Sequence, residues 1–141
     1  MSECIFCNID KYIEDERQLY SYDHWRLLLQ QPIKRQTTRQ SAGMLVARRH
    51  IKEVTEASAA EMIELSKIIK DACKRLCIAT GTSYTDQEIV GFNQGSEAGQ
   101  TVFHAHVHLL PIAKEDPTAM KNRSGIGGAF EALYRERMKS S

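Results

Sequence analysis

The chain has 141 residues, 42% of them hydrophobic and 26% charged, with a formal net charge of +1. That length suits one domain with its own core, spanning residues 1–141, rather than two. The charge balance gives no global field demanding nucleic acid or an anionic membrane. No apolar run approaches the roughly 20 residues of a membrane helix, and MSECIFCNID lacks the basic-then-apolar pattern of a secretory signal. A cytoplasmic protein is expected.

In chain order, Cys4 to Ile13 reads as a short turn-forming segment that carries Cys4 and Cys7. Leu19 to Tyr22 and Trp25 to Leu29 read as two strands, with Asp23 and His24 as the turn between them and no special role for His24. Gln30 to Gln40 is polar, basic and without periodicity, which predicts a loop. Gly43 to Ala47 is a short apolar run, a buried strand, and it ends in Arg48, Arg49 and His50.

Thr55 to Ala79 has apolar positions Met62, Leu65, Ile68, Ile69, Ala72, Leu76 and Ala79 at spacings of three and four. That periodicity predicts a long one-sided helix. Thr55 or Ser58 can cap its start and Gly81 can end it. Ile89 to Phe92 reads as another strand, and Asn93 to Gly99 as a glycine-bearing turn. Thr101 to Pro111, TVFHAHVHLLP, is predicted as a strand. After Pro111 the chain reads as irregular, with Ala129 to Lys139 as a terminal helix. Strands, one long helix, then more strands imply an α+β fold with an antiparallel sheet.

The strongest chemical signal lies in that last strand. His104, His106 and His108 alternate with Phe103, Ala105, Val107 and Leu109. Alternate strand residues share a face. The apolar set is therefore expected in a core and the imidazoles on the opposite face, roughly 6.6 Å apart. Two kinds of chemistry fit such a row. One is a metal site; the other is nucleophilic or acid–base catalysis by one imidazole.

Four cysteines are present, Cys4, Cys7, Cys73 and Cys77. Without a secretory pattern, Cys4 and Cys7 in a Cys-x-x-Cys pair point to metal or redox chemistry rather than to disulfides. Two thiolates need two more ligands to close a tetrahedral zinc shell. The set favoured is Cys4, Cys7, His50 and His104, which is closed and therefore structural, leaving His106 and His108 for chemistry. Cys73 and Cys77, four apart on the long helix, read as small apolar residues.

Asn93 to Thr101 immediately precedes the histidines. Its glycines, Gly95 and Gly99, permit close backbone approach. Asn93, Gln94, Ser96, Gln100 and Thr101 supply neutral donors, and exposed amides with neutral donors suit a phosphate group.

The combination NQG-x3-GQT-x2-HAHVHLLP closely resembles the histidine triad (HIT) family. The N-terminal Cys-x-x-Cys, a strand ending before His50 and Ile51, and a long helix occur in the expected order, so the resemblance runs from Cys4 to about Pro111. It implies a HIT-like fold: a five-stranded antiparallel sheet, one long helix and a C-terminal helix, in a homodimer. It further implies cleavage of a nucleotide or dinucleotide at the α-phosphate, with His106 taking up the nucleotidyl group. Water then releases a mononucleotide. His108, Asn93, Gln100 and Thr101 match positions that hold or polarise phosphates, with the amides near Gly99 assisting. The zinc-bearing branches use a cysteine pair, an upstream histidine and the first motif histidine, here Cys4, Cys7, His50 and His104. A dinucleoside polyphosphate is the favoured substrate class, with a phosphoramidase or a regulatory nucleotide-binding protein as alternatives.

The chain departs from the family pattern in one region. Many relatives carry an acidic residue where the ribose is held, but LLLQQPIKRQTTRQSAG has none and instead has Lys34, Arg35 and Arg39. The usual Pro-Lys before the upstream histidine is replaced by Arg48 and Arg49. The extra cations suit either a longer polyphosphate or a solvated loop.

Overall fold

A computed structural model describes residues 3–31 and 41–116, together with Ile126. The predicted C-terminal helix and most of the basic loop, with Lys34, Arg35 and Arg39, lie outside the described residues.

Five strands form one antiparallel sheet: β1 (Gln18–Ser21), β2 (Trp25–Leu29), β3 (Gly43–Ala47), β4 (Tyr84–Gly91) and β5 (His106–Ala113), in the order β1-β2-β3-β5-β4. A four-residue helix, α1 (Ile9–Tyr12), precedes the sheet, and α2 (Ala59–Thr80) connects β3 to β4. The α+β class and the five-stranded antiparallel sheet agree with the sequence reading. No described helix is long and apolar enough to cross a membrane.

The central strands are covered on both faces. Trp25, Leu27, Leu29, Leu45, Val107 and Leu109 pack with Leu65, Ala72 and Leu76 of α2 in the larger core. Leu28, Met44 and Val46 point the other way and are covered by Phe6, Ile9 and Ile13 of the N-terminal segment. Covering on both faces explains why β3 reads as an unbroken apolar run rather than an alternating one.

The long helix starts later than Thr55. A 3-10 turn occupies Val54–Glu56, and Ser58 is the N-cap. The Ser58 hydroxyl accepts from the Glu61 amide at 3.1 Å, and the Glu61 carboxylate accepts from the Ser58 amide at 2.7 Å, a reciprocal capping box. Gly81 ends the helix in the left-handed region, φ 69°. Leu65, Ile68, Ala72 and Leu76 are buried as the periodicity predicts, whereas Met62 is exposed. Cys73 and Cys77 are buried free thiols, and burial pushes the Cys73 thiol up to about 12. They are apolar core residues, as expected.

Two strand expectations change. β4 begins at Tyr84, before the predicted Ile89. The final strand begins at His106, not Thr101. Ala105, Val107 and Leu109 are buried, but Phe103 is 44% exposed because its segment is not extended strand.

Candidate functional site

His104 sits just outside β5, in the turn that leads into it. The amide of Ala47 donates to the Ala105 carbonyl at 3.0 Å, and the amide of Ala105 donates to the Ile51 carbonyl at 2.7 Å. These bonds lock the turn against the end of β3. His104 is fully buried, and its Nε2 lies 2.6 Å from the Ala47 carbonyl. A carbonyl can only accept, so Nε2 carries the ring proton and Nδ1 keeps its lone pair. Burial holds the His104 pKa below its ordinary value, with the neighbouring His50 and His106 acting in the same direction.

That Nδ1 lies 3.3 Å from Cys4 Sγ, 3.5 Å from Cys7 Sγ and 3.0 Å from His50 Nδ1. Cys7 Sγ is 3.1 Å from His50 Nδ1. One donor atom from each of Cys4, Cys7, His50 and His104 lies within 4.8 Å of every other. Bonds of about 2.0–2.3 Å in a tetrahedral shell set donor separations of about 3.3–3.8 Å. The four contacts at 3.0–3.5 Å fall inside that range or a few tenths of an ångström short of it, and every remaining pair lies within 4.8 Å. The four residues therefore fit a metal ion. Burial, then the neighbouring Cys4, pushes the Cys7 thiol up; a divalent cation relieves this, because it favours two adjacent thiolates. A carbonyl partner on the far nitrogen of a ligand imidazole is also the usual support for a metal-bound histidine.

His106 and His108 lie on β5 opposite Val46 and Met44 of β3. Their side chains thus face away from α2. His106 Nδ1 is 2.8 Å from the His104 carbonyl, which fixes the proton on Nδ1 and leaves Nε2 as the free nitrogen. The two rings meet edge to face, with centroids 5.2 Å apart. Burial, then His106, holds the His108 pKa below its ordinary value. The sequence placed all three imidazoles on one strand face. Two of them are there, and the third leaves the strand to join the cysteines.

Both imidazoles open onto a cavity of about 400 Å³. Its apolar wall is Ile5, Phe6, Met44 and Val102, and its polar lip is Asn93, Gly99 and Thr101. Arg17 and Gln30 also line it. No carboxylate belongs to this described lining. Gly99 is held at φ 95° after the 3-10 turn Ser96–Ala98, a conformation that suits glycine.

Asn93, Gly99, Thr101, His106 and His108 are thus brought together. Gln100 is not part of the lining. Its side chain is buried; Nε2 donates to the Lys52 and Val102 carbonyls at 2.8 and 3.0 Å, and Oε1 accepts from the Gly95 amide at 2.8 Å. It braces the loop that carries its neighbours. The sequence reading missed Phe6 and Arg17. Phe6 had a signal in its position between two candidate ligands. Arg17 had none, because its Nε and Nη2 reach the carbonyls of Leu29 and Gln30, contacts made only by the fold.

A sheet of this order, two adjacent imidazoles in a polar-lipped cavity and a neighbouring Cys2His2 cluster are the arrangement of a histidine triad fold. The sequence matches the HIT domain over residues 35–115, and the chain belongs to the HIT family. It is 31% identical over 121 residues to an uncharacterised HIT-like protein of Saccharolobus solfataricus, covering 84% of this chain and 81% of that protein. Among solved structures, a hypothetical histidine triad nucleotide-binding protein from Sulfolobus tokodaii superposes with TM-score 0.61 at 24% identity, over 82% of this chain and 73% of that one. A HIT family hydrolase from Clostridium thermocellum gives TM-score 0.58 at 23% identity, over 84% and 97%. These likenesses establish the shared fold.

Proposed function

We propose that the protein is a nucleotide hydrolase or nucleotidyl transferase acting through His106. The observation that carries this reading is the 2.8 Å contact between His106 Nδ1 and the His104 carbonyl. In the neutral ring it leaves the Nε2 lone pair free, on a ring that lines the cavity. In the first step Nε2 attacks the α-phosphorus, a P–N bond forms, and the bond to the leaving phosphate oxygen breaks. In the second step water attacks the same phosphorus, the P–N bond breaks, and a mononucleotide leaves. Splitting the displacement makes each barrier smaller. His108 and Thr101, which both line the cavity, meet charge on the phosphoryl oxygens, whereas the Gly99 and Gln100 amides donate within their own turn to the Ser96 and Gly95 carbonyls. Asn93 and Thr101 hold the phosphates, and Gln100 acts by fixing their loop. The wall of Ile5, Phe6, Met44 and Val102 suits an apolar face such as a base.

The Cys4, Cys7, His50 and His104 set is assigned to zinc. Two thiolates and two imidazoles fill a tetrahedral shell, so zinc bound there supplies a cross-link between the N-terminal segment and the ends of β3 and β5 and leaves no position for water. The substrate class is a dinucleoside polyphosphate, supported by a described cavity lining without carboxylates; Arg17 in that lining is paired with Glu14 at 3.2 Å. Family resemblance adds a homodimer, which sedimentation equilibrium would measure.

The test compares wild type with His106→Asn on a dinucleoside polyphosphate and on a nucleoside phosphoramidate. Mononucleotide release by wild type and its loss in the variant are expected. Equal turnover by the variant overturns the nucleophile. Mononucleotide binding without turnover of either substrate favours a regulatory binding protein instead.

A further inference from the structure

We propose that Phe6 is a positioning residue that transmits the geometry of the Cys4–Cys7 clip to the His106 imidazole; this rests on the assignment of His106 as nucleophile. Phe6 lies between the two thiol ligands in sequence and is only 7% exposed. Its ring meets the His104 ring edge-on, with centroids 5.9 Å apart and planes at 87°. It meets the His106 ring at 5.2 Å and 72°. One aromatic side chain thus touches a metal-ligand imidazole and the nucleophilic imidazole, while its own backbone is pinned by ligands on either side.

The hydrogen bond from His106 Nδ1 to the His104 carbonyl cannot orient the ring alone. A single bond fixes one atom and leaves the imidazole free to swing about the N–O line, carrying Nε2 with it. Two contacts oppose that swing. His108 meets the ring at 5.2 Å and 80°, and Phe6 meets it at 5.2 Å. His108 is held by β5, on the same strand as His106. Phe6 reaches the ring from the short N-terminal segment, which is tied to the sheet by the thiol cluster and by the packing of Phe6, Ile9 and Ile13 against Leu28, Met44 and Val46. Closing the clip therefore seats Phe6, and a seated Phe6 holds Nε2 toward the cavity. The clip works on the chemistry as well as on the fold.

Phe6 also lines the cavity, so a simple wall role has to be separated from positioning. A wall residue that binds ground state and transition state alike raises KM and leaves kcat alone, whereas loss of alignment lowers kcat. In Phe6→Leu, which keeps an apolar cover but removes the flat ring, kcat is expected to fall about ten- to hundred-fold with KM changed by less than about threefold, since small misplacements of a reacting group carry penalties of that size. Phe6→Tyr, which restores a ring, should recover most of kcat. Zinc content should match wild type in both, and the unfolding midpoint should fall in Phe6→Leu only by the modest amount that loss of a buried ring carries. If Phe6→Leu is poorly folded, Phe6→Met, long and ring-free, takes its place.

A second measurement needs no turnover. Nitrogen-15 spectra of the zinc-loaded protein should show His106 in a single tautomer with Nδ1 protonated. In Phe6→Leu, and in the Cys4→Ser, Cys7→Ser double variant, the His106 resonances should broaden or move toward averaged tautomers while His108 changes less. Unchanged His106 resonances in both variants, or a Phe6→Leu enzyme with wild-type kcat and raised KM, overturn the proposal. A wild-type protein without turnover defeats the His106 assignment instead, and the spectra still report whether Phe6 holds the ring.

Discussion

Glu61→Gln at the start of α2 tests how the helix is fastened beside the metal cluster. The Glu61 side chain is 4% exposed and its Oε1 lies 2.8 Å from Arg49 Nη2. The same oxygen accepts from the Ser58 amide, and the Glu61 carbonyl accepts from Trp25 Nε1 at 2.9 Å. Arg49 immediately precedes His50, so this one residue ties α2 to β2 and to the chain entering the cluster. Glutamine keeps the shape and a carbonyl oxygen for both donors; only the charge is lost. The Arg49 guanidinium, with help from Ser58, holds the Glu61 carboxyl down at about 2, below its ordinary 4.5, against the opposing effect of burial.

Because the folded-state pKa is depressed, the carboxylate stabilises the fold at pH values above about 4.5, and this contribution fades as pH falls toward 2. At ~1.36 kcal/mol per pH unit the ceiling is about 3 kcal/mol. Arg49 is 56% exposed, so solvent screening reduces the expected value to about 1.5–2 kcal/mol. Urea unfolding of wild type and Glu61→Gln at pH 7, 5, 4, 3 and 2, at constant ionic strength, reads the difference. Taking the difference between the two proteins cancels contributions common to both and reads residue 61. Wild type should be the more stable by that amount at pH 7, and the two should converge near pH 2. An offset that stays constant across the series, or no offset at pH 7, refutes the charge argument.

Three further outcomes follow from packing and coordination. The Cys4→Ser, Cys7→Ser double variant should lose its bound zinc, from about one ion per chain in a closed four-ligand site, together with thermal stability; metal retained at His104, His106 and His108 in elemental analysis would replace the structural assignment with an open triad site. Gly43→Ala should cost about 1–3 kcal/mol in urea unfolding, because a Cβ there lies 2.6 Å from the Leu28 carbonyl oxygen, a backbone atom that cannot step aside; wild-type stability would show that β2 and β3 separate freely. Gln100→Ala removes the partners of the Lys52 and Val102 carbonyls and the Gly95 amide, at about 1–3 kcal/mol. Faster hydrogen exchange at Gly95 and weaker mononucleotide binding should accompany it, and an unchanged exchange rate would exclude the brace.

The parts of the fold readable from sequence are those where one local rule acts alone. β2 and β3 fall where apolar runs are bounded by turn residues, at Trp25–Leu29 and Gly43–Ala47 as predicted. Gly81 ends α2 for the reason given by its left-handed backbone. The start of α2 was ambiguous because two capping boxes follow each other, Glu53 with Glu56 and then Ser58 with Glu61; only the second opens the long helix. β4 was underestimated because, among the described residues, it is an edge strand bonded to β5 alone, and its register shifts between Tyr84 and Glu88 around Asp86 at φ 63°. A bulge destroys the period of two on which strand recognition depends. The clustering of Cys4, Cys7, His50 and His104 was legible from residue chemistry, since two thiols close in sequence need nitrogen donors from elsewhere to complete a metal shell. The cavity was less so: Arg17 and Gln30 enter it through backbone contacts that no spacing rule encodes.

The histidine row shows why a correct motif can carry an incorrect geometry. Alternation from Phe103 to Leu109 fits a strand throughout, yet extended pairing starts only at His106. The spacing of two still matters, for a different reason. It brings the carbonyl of His104 within 2.8 Å of His106 Nδ1, while the same residue's side chain turns to Cys4, Cys7 and His50. Backbone and side chain of His104 therefore serve two sites at once. Substituting the side chain removes a ligand but leaves the carbonyl in the chain, so damage to the second site has to pass through displacement of the turn or release of Phe6.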